Sequence, residues 1–116
     1  MNKEHIIRKQ IERVGNTIHI DDGEWKSVPY KAVIIPLWRK KSSNFEKLFT
    51  ELGYDINEYY LYIGPSSHNI LSLSEDATVI GSSKKFEFRH RDEVMFDDEV
   101  LYYIGIIRLV KEAEYD

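Results

Sequence analysis

The stretch Glu99–Lys111, EVLYYIGIIRLVK, most constrains how this chain can fold. β-branched and aromatic residues dominate it, and these residue types fit a pleated, half-buried surface. Five β-branched residues and a central Gly105 argue against a helix of this length. Apolar and polar residues do not alternate cleanly, so both faces of the strand should be covered. The sequence therefore predicts a long central strand, completed late in the chain and paired with earlier strands.

Several shorter stretches before this strand also have strand patterns. Asp21-Asp22-Gly23 is a turn signal, which predicts a hairpin whose second arm carries Trp25 on one face. Pro36 cannot donate a ladder hydrogen bond, so its strand should end there, bulge or lie at an edge. The predicted strands are Thr17–Ile20, Glu24–Val28, Tyr30–Trp38, Tyr59–Ile63, Thr78–Ile80 and Lys84–His90.

Two segments have helical periodicity. Residues 2–14 place Ile7, Ile11 and Val14 on one face. Ser43–Leu52 begins with a Ser-x-x-Glu capping box and carries one apolar stripe of Phe and Leu. We therefore expect a single domain over residues 1–116. It should be mainly β, a small antiparallel barrel or sandwich with an N-terminal helix and one inserted short helix over residues 43–52.

Composition excludes some classes of protein. The chain has 116 residues and no cysteine, which rules out a disulfide framework and a thiolate metal site. Its net charge of −4 does not favour a general nucleic-acid binder. The first residues are too charged for a signal peptide, and no run of about 18 apolar residues occurs. An intracellular protein without membrane contact is expected.

No motif in the sequence indicates catalysis or metal binding. The four histidines, His5, His19, His68 and His90, show no ligand spacing. Ser66-Ser67-His68 is not a triad, and neither a nucleophile elbow nor a phosphate loop occurs. We expect a non-enzymatic protein that needs no metal and no cofactor.

The basic cluster Arg39, Lys40 and Lys41 has two interpretations, a solvated connector or a local positive patch that faces phosphate. The aromatic strands 59–62 and 86–88 also have two interpretations. They could form a stacking platform for single-stranded nucleic acid. Alternatively, one face is core and the other binds protein, which the negative net charge favours.

The order of these elements resembles a known family. A helix precedes YKAVIIPLW, YYLYIGP follows a central insertion, and KKFEFRHRDEV runs into EVLYYIGIIRLV. This pattern resembles the head-completion, or head–tail stopper, proteins of tailed bacteriophages and of PBSX-type phage-like elements in Gram-positive bacteria. The resemblance covers most of the chain and rests on strands and aromatic residues, without catalytic motifs.

The resemblance implies a small β-barrel that assembles as a homo-oligomeric ring beneath portal and adaptor proteins. Such a ring closes the DNA channel after packaging and docks the tail. Channel closure in relatives uses a long loop, for which Trp38–Glu58 and the polar loop Ser66–Asp76 are the two candidates here. Arg39, Lys40 and Lys41 would then contact packaged DNA in the channel.

These implications give a set of expectations. The protein should be in the bacterial cytoplasm during assembly and then in a virion or phage-like particle. A tail-terminator or tail-completion protein is the alternative within this class, and a single-stranded nucleic-acid-binding barrel is the alternative outside it. The aromatic residues expected at subunit interfaces are Trp25, Trp38, Tyr59, Tyr60 and Tyr62.

Overall fold

The computed structural model describes residues 3–37 and 58–110. Within these residues one helix precedes six strands, and the structure is mainly β, as predicted. The predicted helix over residues 43–52 lies outside the described residues. The helix is α1 (Lys3–Val14), and the strands are β1 (Asn16–Asp21), β2 (Tyr30–Pro36), β3 (Tyr59–Pro65), β4 (Thr78–Gly81), β5 (Lys84–Phe96) and β6 (Glu99–Leu109).

The six strands form a closed antiparallel barrel in the order β1-β2-β3-β6-β5-β4, and β4 pairs back to β1. β6 lies between β3 and β5, pairing Leu61 with Ile106 on one side and Phe88 with Ile107 on the other. The prediction of a long central strand is therefore confirmed, and β6 ends at Leu109. Closure pairs the edge strands with each other, so most of the sheet has no open edge.

The structure corrects or makes more specific three of the local predictions. Glu24–Val28 is not a strand: only Lys26 bridges to Asp21, and β1 pairs instead with β2. β2 ends at Pro36, as the missing N–H requires. The predicted strand over Lys84–His90 and the separate apolar patch after it are one continuous strand, β5. The C-terminal half of β5 pairs only with β6 in the described structure. These two strands therefore extend beyond the barrel as a two-stranded ribbon.

The interior of the barrel is filled by side chains from all six strands. Tyr62 is fully buried, and its hydroxyl lies 2.7 Å from that of Tyr30. A Cβ at position 64 would overlap the Tyr62 ring, so Gly64 leaves the space that this ring occupies. The interior consists of Ile18, Ile20, Tyr30, Ala32, Tyr62, Val79, Phe86, Tyr103 and Ile107, together with Ile70 and Ala77 from the loop before β4.

α1 packs against β2, β3 and β6. Ile11 is the buried residue of the helix, and Ser66 donates a 2.7 Å hydrogen bond to the Glu4 carboxylate just after β3. At its start, the Lys3 ammonium lies 3.6 Å from the centroid of the Phe96 ring at the tip of the ribbon. The helix thus connects the barrel wall to the ribbon.

Candidate docking surface on the barrel wall

The outer wall of the barrel carries a second apolar cluster. Along β6, Tyr103 and Ile107 point inward, so the alternate residues Ile104 and Ile106 point outward. Register then places Leu61 of β3 beside Ile106. We call this cluster the outer patch; it consists of Ile35, Leu37, Tyr59, Leu61, Ile63, Ile104 and Ile106.

A groove of about 280 Å³ opens on the outer patch. Its walls are the apolar side chains of Leu37, Leu61 and Ile106, together with Ile104 and the backbone of Gly105. On β5, the register sets His90 beside Ile106 and Asp92 beside Ile104, so polar side chains line one rim. The site is an apolar depression with hydrogen-bonding groups at one side, a pattern typical of surfaces that bind amphipathic groups.

Two of the exposed apolar side chains lie on the connection between β1 and β2. Trp25 and Val28 are 54% and 72% exposed. The connection has a defined backbone, because Asp22 N–H donates to the Trp25 carbonyl at 2.8 Å. Ser74 also donates from its hydroxyl to the Asp22 carboxylate. Trp25 is therefore an exposed aromatic residue on a turn that hydrogen bonds hold in place.

The polar loop Ser66–Asp76 is held against the barrel at several points. Ile70 is buried in the interior, and His68 stacks on Tyr30 with ring centroids 3.8 Å apart. Burial lowers the pKa of His68. The Arg91 guanidinium of β5 donates to the carbonyls of Leu73 at 2.8 Å and Ser74 at 2.6 Å. These contacts fix the loop to the ribbon and to the barrel interior.

The aromatic residues that were expected at interfaces differ in how much of each side chain is exposed. Trp25 is exposed, but Tyr59 and Tyr62 are only 3% and 0% exposed. The alternation along β3 places Tyr62 in the interior and Tyr59 in the outer patch, and neither ring is exposed. Tyr60 is half-buried, with its ring 5.1 Å from that of Phe86, edge to face. Trp38 lies outside the described residues.

The positions of the aromatic rings on β5 do not support the alternative of a stacking platform for nucleic-acid bases. Phe86 is only 4% exposed, and the Phe88 ring lies against that of Tyr62 with centroids 5.8 Å apart. Stacking on a base requires an accessible ring face, and these rings use their faces and edges to fill the interior. Arg39, Lys40 and Lys41 lie outside the described residues, so their role stays a prediction from the sequence.

Sequence reasoning did not identify the groove. The absence of alternation in β6 indicated two covered faces, but it did not show which residues of β3 and β5 flank the outer one. His90 and Asp92 reach the rim only through pairing with β6 across a register shift between Phe88 and His90. Register is a tertiary property, so no local pattern contains this signal.

Among residues 3–37 and 58–110, no group of three or more His, Asp or Glu side chains could hold a metal ion. Within the same residues, no helix is long and apolar enough to cross a membrane. Comparison with protein-family models, curated proteins and solved structures finds no match to this chain.

Proposed function

We propose that this protein is a non-enzymatic structural component of a phage or prophage head–tail junction. It would form a ring that closes the DNA channel after packaging and docks the tail. Portal or adaptor proteins and tail proteins are its partners, and packaged DNA meets it only through the channel. The protein would be in the bacterial cytoplasm during assembly and in the particle afterwards.

The observation that carries the proposal is the outer patch. A barrel whose interior is filled by side chains binds through its outside, and the outer wall over β2, β3 and β6 carries a cluster of apolar side chains that are buried or half-buried. Apolar groups with a polar rim are typical of protein–protein contacts. The exposed Trp25 adds a residue type that is enriched at such contacts.

The burial of the aromatic strands favours this function over single-stranded nucleic-acid binding. Tyr62 and Phe86 are in the interior, and neither presents a ring face at the surface. The net charge of −4 also opposes binding to a polyanion. Both observations favour an assembly role over a nucleic-acid-binding module.

Deletion of the coding sequence from an inducible phage-like element tests the proposal. Loss of a head-closing ring should give heads that lose packaged DNA and carry no tails in negative-stain micrographs. The wild-type chain supplied from a plasmid should restore tailed, filled particles. Normal numbers of tailed particles after deletion would overturn the proposal.

The same micrographs distinguish the tail-terminator alternative. If the protein completes tails instead, its deletion should leave the heads filled with DNA, because the heads are still closed. Immunogold labelling of separated heads and tails gives a second measure, since a head-completion protein should label heads before tails attach. Label on isolated tails alone would favour the terminator role.

A further inference from the structure

We infer that the peptide between Asp22 and Gly23 is a site of spontaneous isoaspartate formation, and that Ser74 of the polar loop Ser66–Asp76 controls its rate. The change alters the main chain itself. It would occur whether or not the protein assembles into a ring, so it stands apart from the proposed function.

The reaction joins two groups that are already neighbours in the chain. The Gly23 nitrogen attacks the Cγ atom of the protonated Asp22 carboxyl group, a C–N bond forms, and the nitrogen proton leaves with a carboxyl oxygen as water. Water then opens the resulting succinimide ring. Cleavage at Cγ restores aspartate, whereas cleavage at the main-chain carbonyl carbon leaves the chain running through Cγ, which is isoaspartate. One water is lost and one is gained, so the mass does not change.

The sequence and the backbone select this peptide. Asp22 and Gly23 form the one Asp-Gly pair in the chain. Gly has no Cβ, so no side chain shields the attacking nitrogen, and the backbone is free to reach the ring geometry. Gly23 is exposed with a φ of 82°, and a Cβ built there would meet no atom within 4 Å. Water therefore reaches the site, and its surroundings do not block ring formation.

Hydrogen bonds hold both reacting groups in the folded chain. Ser74 donates to the Asp22 carboxylate from its N–H at 3.3 Å and also from its hydroxyl. The Gly23 N–H donates to the Asp21 carboxylate at 3.0 Å. The water that leaves comes from the same carboxyl group that Ser74 binds, so the bonds from Ser74 must break before the ring can form.

The rest of the polar loop places Ser74 beside this turn. Arg91 of β5 donates to the carbonyls of Leu73 at 2.8 Å and Ser74 at 2.6 Å, and Ile70 is buried in the barrel interior. Release of the loop therefore takes both Ser74 donors away from Asp22. The rate of isoaspartate formation should follow how often the loop leaves the barrel.

Isoaspartate would disrupt the turn that carries Trp25. The Asp22 carbonyl accepts the Glu24 N–H at 3.1 Å, and this carbonyl would become a free carboxylate off the main chain. The main chain would also gain one carbon atom, and the carboxylate that Ser74 binds would be lost. The modified turn should therefore separate from the loop.

Ageing of the purified full chain at neutral pH tests the site. Tryptic peptide 14–26 contains both Asp21 and Asp22, and electron-transfer dissociation distinguishes isoaspartate from aspartate at each position. Isoaspartate should accumulate at residue 22 and not at residue 21. Asp22→Glu keeps the carboxylate but would need a six-membered ring, so this variant should form none. No isoaspartate at residue 22 in any aged protein would overturn the inference.

Ser74→Ala tests the control by the loop. Loss of the hydroxyl bond should speed the reaction about threefold to tenfold, as expected for one hydrogen bond. Ser72→Ala is the matched control, because the Ser72 hydroxyl donates to the Asn69 carbonyl and not to Asp22. Circular dichroism confirms that both variants are folded. Equal rates in the two variants would remove Ser74 from the mechanism.

A synthetic peptide of residues 14–26 gives the rate without the loop. The folded wild-type chain should react at least about tenfold more slowly than this peptide, because two hydrogen bonds from Ser74 are lost in it. A folded chain that reacts as fast as the peptide would show that the loop does not protect Asp22.

Discussion

The hydrogen bond between the hydroxyls of Tyr30 and Tyr62 is a polar contact within an apolar interior. The residues are 32 positions apart in the chain and meet in the interior of the barrel, where β2 supplies Tyr30 and β3 supplies Tyr62. A buried hydroxyl that loses its partner costs more than the bond itself contributes, since it stays desolvated. The effect on stability of replacing either tyrosine therefore depends on whether the other one is still present.

Replacing Tyr62 by Phe leaves the Tyr30 hydroxyl without this partner, and Tyr30→Phe does the reverse. Each substitution should lower the free energy of unfolding by about 1–3 kcal/mol. The double variant should lose less than the sum, because it removes both polar groups. Urea unfolding of the four proteins measures the coupling. Additive losses would show that the two hydroxyls do not stabilise each other.

The same pair should make stability sensitive to alkaline pH. Burial raises the pKa of Tyr30 from 10.0 to about 12, and burial together with the neighbouring Tyr30 raises that of Tyr62 further. A raised pKa means that the folded state keeps its proton where the unfolded state has lost it. The stabilisation is complete below pH 10 and is lost as the pH rises from 10 through 12.

Urea unfolding between pH 9 and 12 checks this linkage. The free energy of unfolding should fall by up to about 1.4 kcal/mol per pH unit for each tyrosine that stays protonated only in the folded state. The Tyr30→Phe/Tyr62→Phe double variant should show a flatter profile. Identical slopes in the two proteins would exclude these residues as the source.

At the scale of elements, the contacts of β5 decide how the loop before β4 is placed. Ile70 anchors the loop in the interior, and Arg91 binds two of its carbonyls. The Arg91 guanidinium also lies 4.6 Å from the Phe88 ring centroid, which orients it across the strand. Ile70 and Arg91 therefore hold the loop together with His68, which stacks on Tyr30, and Ser74, which donates to Asp22.

Arg91→Lys should loosen the loop without unfolding the barrel. An ammonium cannot reproduce the planar fork that reaches both carbonyls, so one hydrogen bond should be lost. Hydrogen exchange at residues 71–77 should become about fivefold to tenfold faster, while exchange in β6 stays unchanged.

Arg89→Lys is the matched control, because Arg89 lies two residues away and pairs with Glu87 at the surface. Surface ion pairs contribute little to stability, so this substitution should not change loop exchange. Equal effects of the two lysine substitutions would show that the Arg91 contacts do not hold the loop.

At the scale of the whole molecule, closure depends on the last strand. β6 pairs with β3 over Tyr59–Pro65 and with β5 along most of its length, and it supplies Tyr103 and Ile107 to the interior. The pairs that β6 forms join residues up to 49 positions apart in the chain, as Tyr59 and Arg108 are. Non-local pairing of this kind makes the barrel cooperative and delays its completion until the last strand is made.

A chain that ends at Asp98 should therefore not fold. Removing β6 leaves β3 and β5 without their shared neighbour and opens the interior to water. Far-UV circular dichroism should show no cooperative thermal transition for this fragment, and a synthetic peptide of residues 99–110 added in excess should restore strand signal. A cooperative transition in the fragment alone would contradict the central position of β6.

The residue types along the chain are enough to predict the first helix, most of the strands and the mainly β class. Local steric and hydrogen-bonding preferences set these features: β-branched runs favour extended backbone, Pro36 ends a strand, and Asp or Ser residues turn the chain. Glu24–Val28 is the exception, because β1 finds its partner in β2 instead.

Which face of each strand points inward was settled by the closed barrel. The YYLYI run of β3 is apolar on both sides, so its local pattern is the same for Tyr59, Tyr60 and Tyr62. Pairing with β2 and β6 places Tyr62 beside Tyr30 in the interior and Leu61 beside Ile106 on the outer wall. The groove and its rim exist for the same reason: register joins residues that are distant in the chain, and register is fixed by the packing of the whole molecule.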